Sequence, residues 1–224
     1  MLIAVSGVDY AGKSTQIERL AAHFRGAGRR CKVAWFRPGY SATLDALRRL
    51  VRRLRSGALP SAQQPEARAR TFGKPWVRRW WTRMALFDMV LQYGVKLRLL
   101  SWLGWVVICD RYVYDGLLDL ELRFPDLGAP RWLSARLARA LCPRPRHHLL
   151  LTLTWETIQE RLALKNEPFP DPPEVRRARY ERYVNAPREA FTFIDAAGSP
   201  EAVEARIRAA LGLAGAAASA VEPA

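Results

Sequence analysis

Residues 2–15 read Leu2-Ile3-Ala4-Val5-Ser6-Gly7-Val8-Asp9-Tyr10-Ala11-Gly12-Lys13-Ser14-Thr15. A short apolar run of strand character leads into residues 7–14, which fit G-x-x-x-x-G-K-S/T at every fixed position. Behind them Ile17, Leu20, Ala21 and Phe24 fall on one face of a helix. Strand, glycine loop and helix in that order are the context of a phosphate-binding loop. Gly7 and Gly12 let the backbone turn tightly and aim its N–H groups inward. The helix N-terminus adds partial positive charge at the same point. In such a loop Lys13 reaches the β- and γ-phosphates, and the Ser14 hydroxyl takes one position on Mg²⁺. The expectation is a nucleoside triphosphate site on residues 7–15.

Composition narrows the rest. Of 224 residues, 50% are hydrophobic, enough for one sizeable core and against a disordered chain. Only Met1 stands before the first strand, so a cleaved leader would remove the loop itself, and a cytoplasmic location is expected. The most apolar stretch, residues 84–107, holds Asp88, Lys96 and Arg98 and is rejected as a membrane span, because each such charge costs about 2.5–3.5 kcal/mol at a bilayer centre. Cys31, Cys109 and Cys142 are scattered, without metal spacing, and read as reduced core or surface thiols. His147 and His148 read as a surface pair preceding a strand. The net charge of +15 suits polyanions, but its arginines are spread along the chain and decide little.

In chain order, residues 32–36 read as a strand ending in the Arg37-Pro38-Gly39-Tyr40 turn, and residues 42–55 as a basic helix. From residue 76 to about 103 a long helical pattern places Val77, Trp80, Trp81, Met84, Phe87, Leu91 and Val95 inward, with Gly94 a point of bending or breakage. Residues 105–109 are wholly apolar, as in a central parallel strand, and finish in Asp110-Arg111-Tyr112. A helix at about 131–141, a strand at 149–153, helices at 155–164 and 174–186, a strand at 191–194 and a helix at 201–211 follow. The alternation predicts an α/β fold: a parallel sheet of about five strands flanked by helices, one domain over 1–211, and a disordered tail over 212–224. Ligands then gather at the carboxyl ends of the strands.

The glycine loop with its internal Asp9, the Arg37-Pro38-Gly39 turn and Asp110-Arg111-Tyr112 together resemble the thymidylate kinases and related nucleoside monophosphate kinases. The likeness runs from about residue 2 to 211, strongest at the loop and at Asp-Arg-Tyr, fair at residues 194–200. It implies the P-loop kinase fold, ATP and Mg²⁺ as cofactors, and a small phosphate acceptor, dTMP by default. By the same resemblance Gly7, Gly12, Lys13, Ser14, Thr15, Arg161 and Ala197 hold ATP, and Ser14 and Asp110 serve the metal. Asp9, Arg37, Phe87, Arg111, Tyr112 and Asp115 face the acceptor. Residues 161–182 look like a lid over ATP, from which Arg161, Lys165 or Arg177 approaches the transferred phosphate, beside Lys13, Asp9, Asp110 and Arg111. A homodimer is compatible with this reading. Arg176 and Arg179 divide evenly between the lid and a solvated helix face.

The pattern departs from the family in the acceptor region. Its pyrimidine-reading arginine falls on Val90, and Val113-Tyr114-Asp115-Gly116 replaces the expected Ser- and Gln-containing segment. Three readings therefore stand. One is a nucleoside monophosphate kinase. Another is a kinase of a different small acceptor, such as a nucleoside or cell-surface precursor, with Asp9, Asp110 or Asp115 as base. The third is a nucleotide switch with a basic surface for nucleic acid or an anionic membrane. For that last reading Lys74-Pro75-Trp76-Val77-Arg78-Arg79-Trp80-Trp81-Thr82-Arg83 interleaves aromatics with cations, but core packing is the better account, since Val77, Trp80 and Trp81 fall on the helical apolar stripe with Met84 and Phe87.

Overall fold

The chain alternates strand and helix because its apolar residues alternate between short continuous runs and three-to-four spacing. In the computed structural model, which describes residues 1–36, 72–164 and 171–213, those runs become five strands. They are β1 (Leu2–Gly7), β2 (Cys31–Trp35), β3 (Val106–Asp110), β4 (His147–Thr152) and β5 (Thr192–Asp195). All pair in parallel in the order β2-β3-β1-β4-β5. Arg37, Lys165, the helix expected at 42–55 and nearly all of the expected tail lie outside the described residues.

The structure divides into two compact units. The first holds the sheet with α1 (Lys13–Gly26), α6 (Trp155–Leu164), α7 (Pro173–Val184) and α8 (Pro200–Ala210). β1 lies at its centre and is buried throughout, which is why its sequence is apolar without alternation. The chain leaves β1 for the edge at β2, returns to β3 on one side of β1, and later enters β4 on the other. Connections thus diverge at β1, and such a switch point leaves a crevice at the carboxyl end of the strand. α1 is tied to α8 by the Gln16 side-chain amide, which donates to the Pro200 carbonyl at 2.8 Å, and by Arg19 with Glu201 and Glu204.

The histidine pair is not a surface feature. Both residues belong to β4 and are half-buried. His148 Nε2 lies 2.9 Å from Ser6 Oγ on β1, and its ring packs against Phe191. The β1–β4 register, which sets Ala4 opposite His148, decides their surroundings. All three cysteines are buried free thiols, and burial pushes Cys142 up to about 11.

The second unit is helical among the described residues: α2 (Pro75–Met89), a π-helical segment (Val90–Leu97), the start of α3 (Arg98–Trp102), α4 (Val113–Arg123) and α5 (Leu133–Leu141). Phe72, Trp81 and Phe124 cluster edge-on and stacked, with the Arg123 guanidinium 4.6 Å from the Trp81 ring centroid. Gly94 does not break the helix, which continues through it in the wider π form. The predicted inward face is partly wrong: Trp80, Phe87 and Val95 are 47%, 56% and 49% exposed. The buried face is instead Val77, Trp81, Thr82, Ala85, Leu86, Asp88 and Met89, continued by Tyr93 and Leu97. Steps of four overshoot an α-helical turn by about 40° each, a drift that the wider π turns reverse, so Tyr93 and Leu97 return to the core. Among the described residues no helix is long and apolar enough to cross a membrane.

Candidate phosphate-binding site

β1 ends where the backbone must turn at once. Gly7 takes φ 148°, and a Cβ there would run into the Leu151 carbonyl oxygen of β4. Tyr10 (φ 64°) and Gly12 (φ 76°) are left-handed, and α1 starts at Lys13 with no side-chain cap and no acid in its first turn. A left-handed tyrosine costs about 1–2 kcal/mol, a strain that needs surrounding contacts to hold it. Arg161 of α6 supplies one such contact, donating from Nη1 to the Tyr10 carbonyl at 2.9 Å and from Nη2 to the Ala196 carbonyl at 3.4 Å. Lys13 Nζ folds over the loop, donating to the Val8 and Gly7 carbonyls at 2.7 and 3.1 Å.

Asp9 stands at the centre of the cations. Arg111 Nη2 donates to its Oδ1 at 3.0 Å, and Arg179 Nε lies 3.9 Å from Oδ2. Arg111 follows β3 directly, with its N–H donating to the Val5 carbonyl at 3.0 Å, and it too is left-handed (φ 73°). Burial pushes the Asp9 carboxyl up, but Lys13, Arg111 and Arg179, with the hydrogen bond from Arg111, outweigh it and hold the group below its ordinary value. A carboxyl lowered on folding stabilises the protein above its unfolded value and loses that contribution as pH falls through the folded one. Asp9→Asn should therefore cost stability near neutral pH, with the gap to the parent closing below about pH 4. Urea melts at descending pH check this; a gap independent of pH would contradict it.

A small recess with room for about one water is lined by Val8, Asp9, Tyr10, Trp155, Ile158, Arg176, Arg179 and Tyr180. Arg176 presents Nε and Nη1 to this buried region with no hydrogen-bond partner. Arg179 is only 5% exposed and is held by Asp171 Oδ2 at 3.0 Å, so the solvated-face reading fails for it. Its burial depends on α7 packing beside the 7–14 loop, which arginine spacing alone could not reveal.

The structure thus gathers Asp9, Lys13, Arg111 and Arg161, adds Tyr10, Arg176 and Arg179, and leaves Arg177 turned to Glu181 (2.8 Å) and stacked over Trp155. Ser14 and Thr15 lie in the exposed first turn of α1. Asp110 closes β3, half-buried and opposite Val5. Tyr112 is buried, edge-on to His148. Ala197 lies in a loop braced by Arg206, which donates to the Asp195 and Ala197 carbonyls at 2.8 and 2.7 Å. Phe87, exposed, and Asp115, buried, belong to the second unit.

The hydroxyl of Ser14 and the carboxylate of Asp110 are the hard oxygen donors that suit Mg²⁺, which keeps several waters and needs few protein ligands. An uncapped helix N-terminus, a glycine-bearing turn and five nearby cations suit a phosphate chain. No protein-family model matches the chain, and no curated protein does.

Proposed function

We propose that this protein is an ATP-dependent phosphotransferase that moves the γ-phosphate of Mg-ATP to a small phosphate-bearing acceptor, with dTMP the default. The observation that carries the reading is the 7–14 loop: strained at Tyr10, open at the uncapped start of α1, and ringed by Lys13, Arg111, Arg161, Arg176 and Arg179. Phosphoryl transfer asks mainly for positioning and charge neutralisation, and this constellation offers both without a covalent nucleophile.

In this reading the backbone N–H groups of residues 12–15 receive phosphate oxygens, and Lys13 exchanges its loop carbonyls for them. Ser14 and Asp110 would hold Mg²⁺, which would supply charge neutralisation to the phosphate chain. Arg111 releases part of its hold on Asp9 to clamp an incoming phosphate in two-point fashion. Arg161 ties α6 to the Tyr10 and Ala196 carbonyls, so movement of α6 would be felt at the loop. Arg176, half-buried with its Nε and Nη1 lacking a hydrogen-bond partner, has donors to offer a phosphate oxygen.

The resemblance to thymidylate kinases supports dTMP, and Val90 in place of the pyrimidine-reading arginine argues for widening the search. The experiment is ADP formation from Mg-ATP across nucleoside monophosphates and nucleosides. Acceptor-dependent turnover supports the proposal and names the acceptor. ATP binding with no turnover on any acceptor would move the reading to a nucleotide switch.

A further inference from the structure

The Lys74–Arg83 stretch is a sequence feature that the proposed phosphate chemistry leaves unused. Core packing does not absorb it either. Val77 and Trp81 are buried, but Trp76 and Trp80 are 66% and 47% exposed, one turn apart on the outer face of α2. Arg79 and Arg83 are exposed beside them. On α5, Leu133, Leu137 and Leu141 repeat every fourth residue at 68%, 51% and 50% exposure, with Arg136 exposed among them. The two helices run side by side in one unit. The Arg83 guanidinium lies 5.4 Å from the Trp132 ring centroid just before α5, and a Cβ on Gly94 would sit 3.2 Å from the Leu141 carbonyl oxygen. Neither outer face carries an acid: the acid of α2, Asp88, is buried, and α5 has none.

We propose that the outer faces of α2 and α5 form a docking surface for an anionic phospholipid bilayer. Exposed apolar side chains on adjoining helices mark an interaction surface, and the flanking arginines with no acid among them select a negatively charged one. Tryptophan is suited to the headgroup boundary, where its ring is half in apolar surroundings. Arginine pairs with lipid phosphate by two hydrogen bonds at once. Nucleic acid would use the aromatics for stacking and a basic groove to track its backbone, but has no use for a row of exposed leucines. The leucines instead suit burial at the headgroup–acyl boundary, as for helices lying in a membrane surface.

The test is co-sedimentation of the full chain with vesicles of phosphatidylcholine alone and of phosphatidylcholine with phosphatidylglycerol, at low and high salt. Partition into the anionic vesicles, weakened by salt, is expected. It should fall at least about tenfold in Trp76→Ser/Trp80→Ser and similarly in Arg79→Gln/Arg83→Gln. Circular dichroism and unchanged ADP formation, which does not depend on these residues, show that each variant is folded. The proposal is overturned if the protein ignores anionic vesicles at low salt, or if folded variants bind them as well as the parent does. It is equally overturned if the same substitutions abolish a dimer in solution, or abolish binding to single-stranded DNA, while vesicle binding is absent.

Discussion

Lys13→Ala should lower ADP formation from Mg-ATP by at least about a hundredfold while the protein stays folded, the loss typical of removing one preorganised charge-stabilising group. Nζ of Lys13 bonds two carbonyls of the loop it starts from, so it braces that loop as well as bearing the charge proposed to meet phosphate. Removing it costs one partly buried set of charge-assisted hydrogen bonds, about 1–2 kcal/mol and a few degrees in Tm. The two effects separate the roles: a modest shift in melting beside a large loss of turnover marks a catalytic lysine. Lys13→Arg is a sharper control, since it keeps the charge but replaces a compact ammonium by a broad planar fork. It should also be impaired. Steady-state kinetics with melting curves for both variants check the expectation, and undiminished turnover in Lys13→Ala would remove this lysine from the mechanism.

Gly7→Ala should be the most destabilising single methyl in the first unit. Two separate costs coincide there. The backbone at φ 148° is one that side-chain-bearing residues rarely adopt, and the added Cβ would meet the Leu151 carbonyl, a backbone atom of the neighbouring strand that cannot swing aside. Together these should cost at least about 3 kcal/mol, or about 6–12 °C in Tm. Gly12→Ala is the internal comparison. Its φ of 76° also disfavours a side chain, but nothing lies within 4 Å of the new Cβ, so the backbone cost of about 1–2 kcal/mol stands alone. Thermal melts of the two variants check the ordering, and equal losses would show that the β1–β4 approach is not what requires Gly7.

The sheet and the glycine loop were legible because their signals are local. The apolar strands of the core announce themselves in consecutive residues, and the fixed glycines and Lys13 fall within one short segment. What escaped depends on partners far apart in sequence. His148 reads as polar surface until the β1–β4 register sets it near Ser6. Arg179 reads like its neighbours Arg176 and Arg177, and only its approach to Asp9 and Asp171 distinguishes it. Tyr10 carried no signal at all, since left-handed strain is invisible in composition.

The helix from residue 75 onward misled for a different reason. It is apolar on two faces, so the same three-and-four counting accommodates Trp80 as readily as Trp81, and a π segment then shifts the phase in mid-course. Local periodicity cannot choose between two stripes that both satisfy it. The packing around Phe72, Phe124 and Arg123 does choose, and it selects Trp81. The aromatics left outside were the ones that pointed to a bilayer.

The most direct test of the central claim is transfer of label from γ-labelled ATP, with Mg²⁺, in the presence of dTMP and of each other nucleoside monophosphate in turn. Label is expected to appear in a nucleoside diphosphate, and to be lost in Lys13→Ala. Label that stays in ATP, or that passes only to inorganic phosphate whatever acceptor is offered, would contradict a phosphotransferase built on residues 7–15.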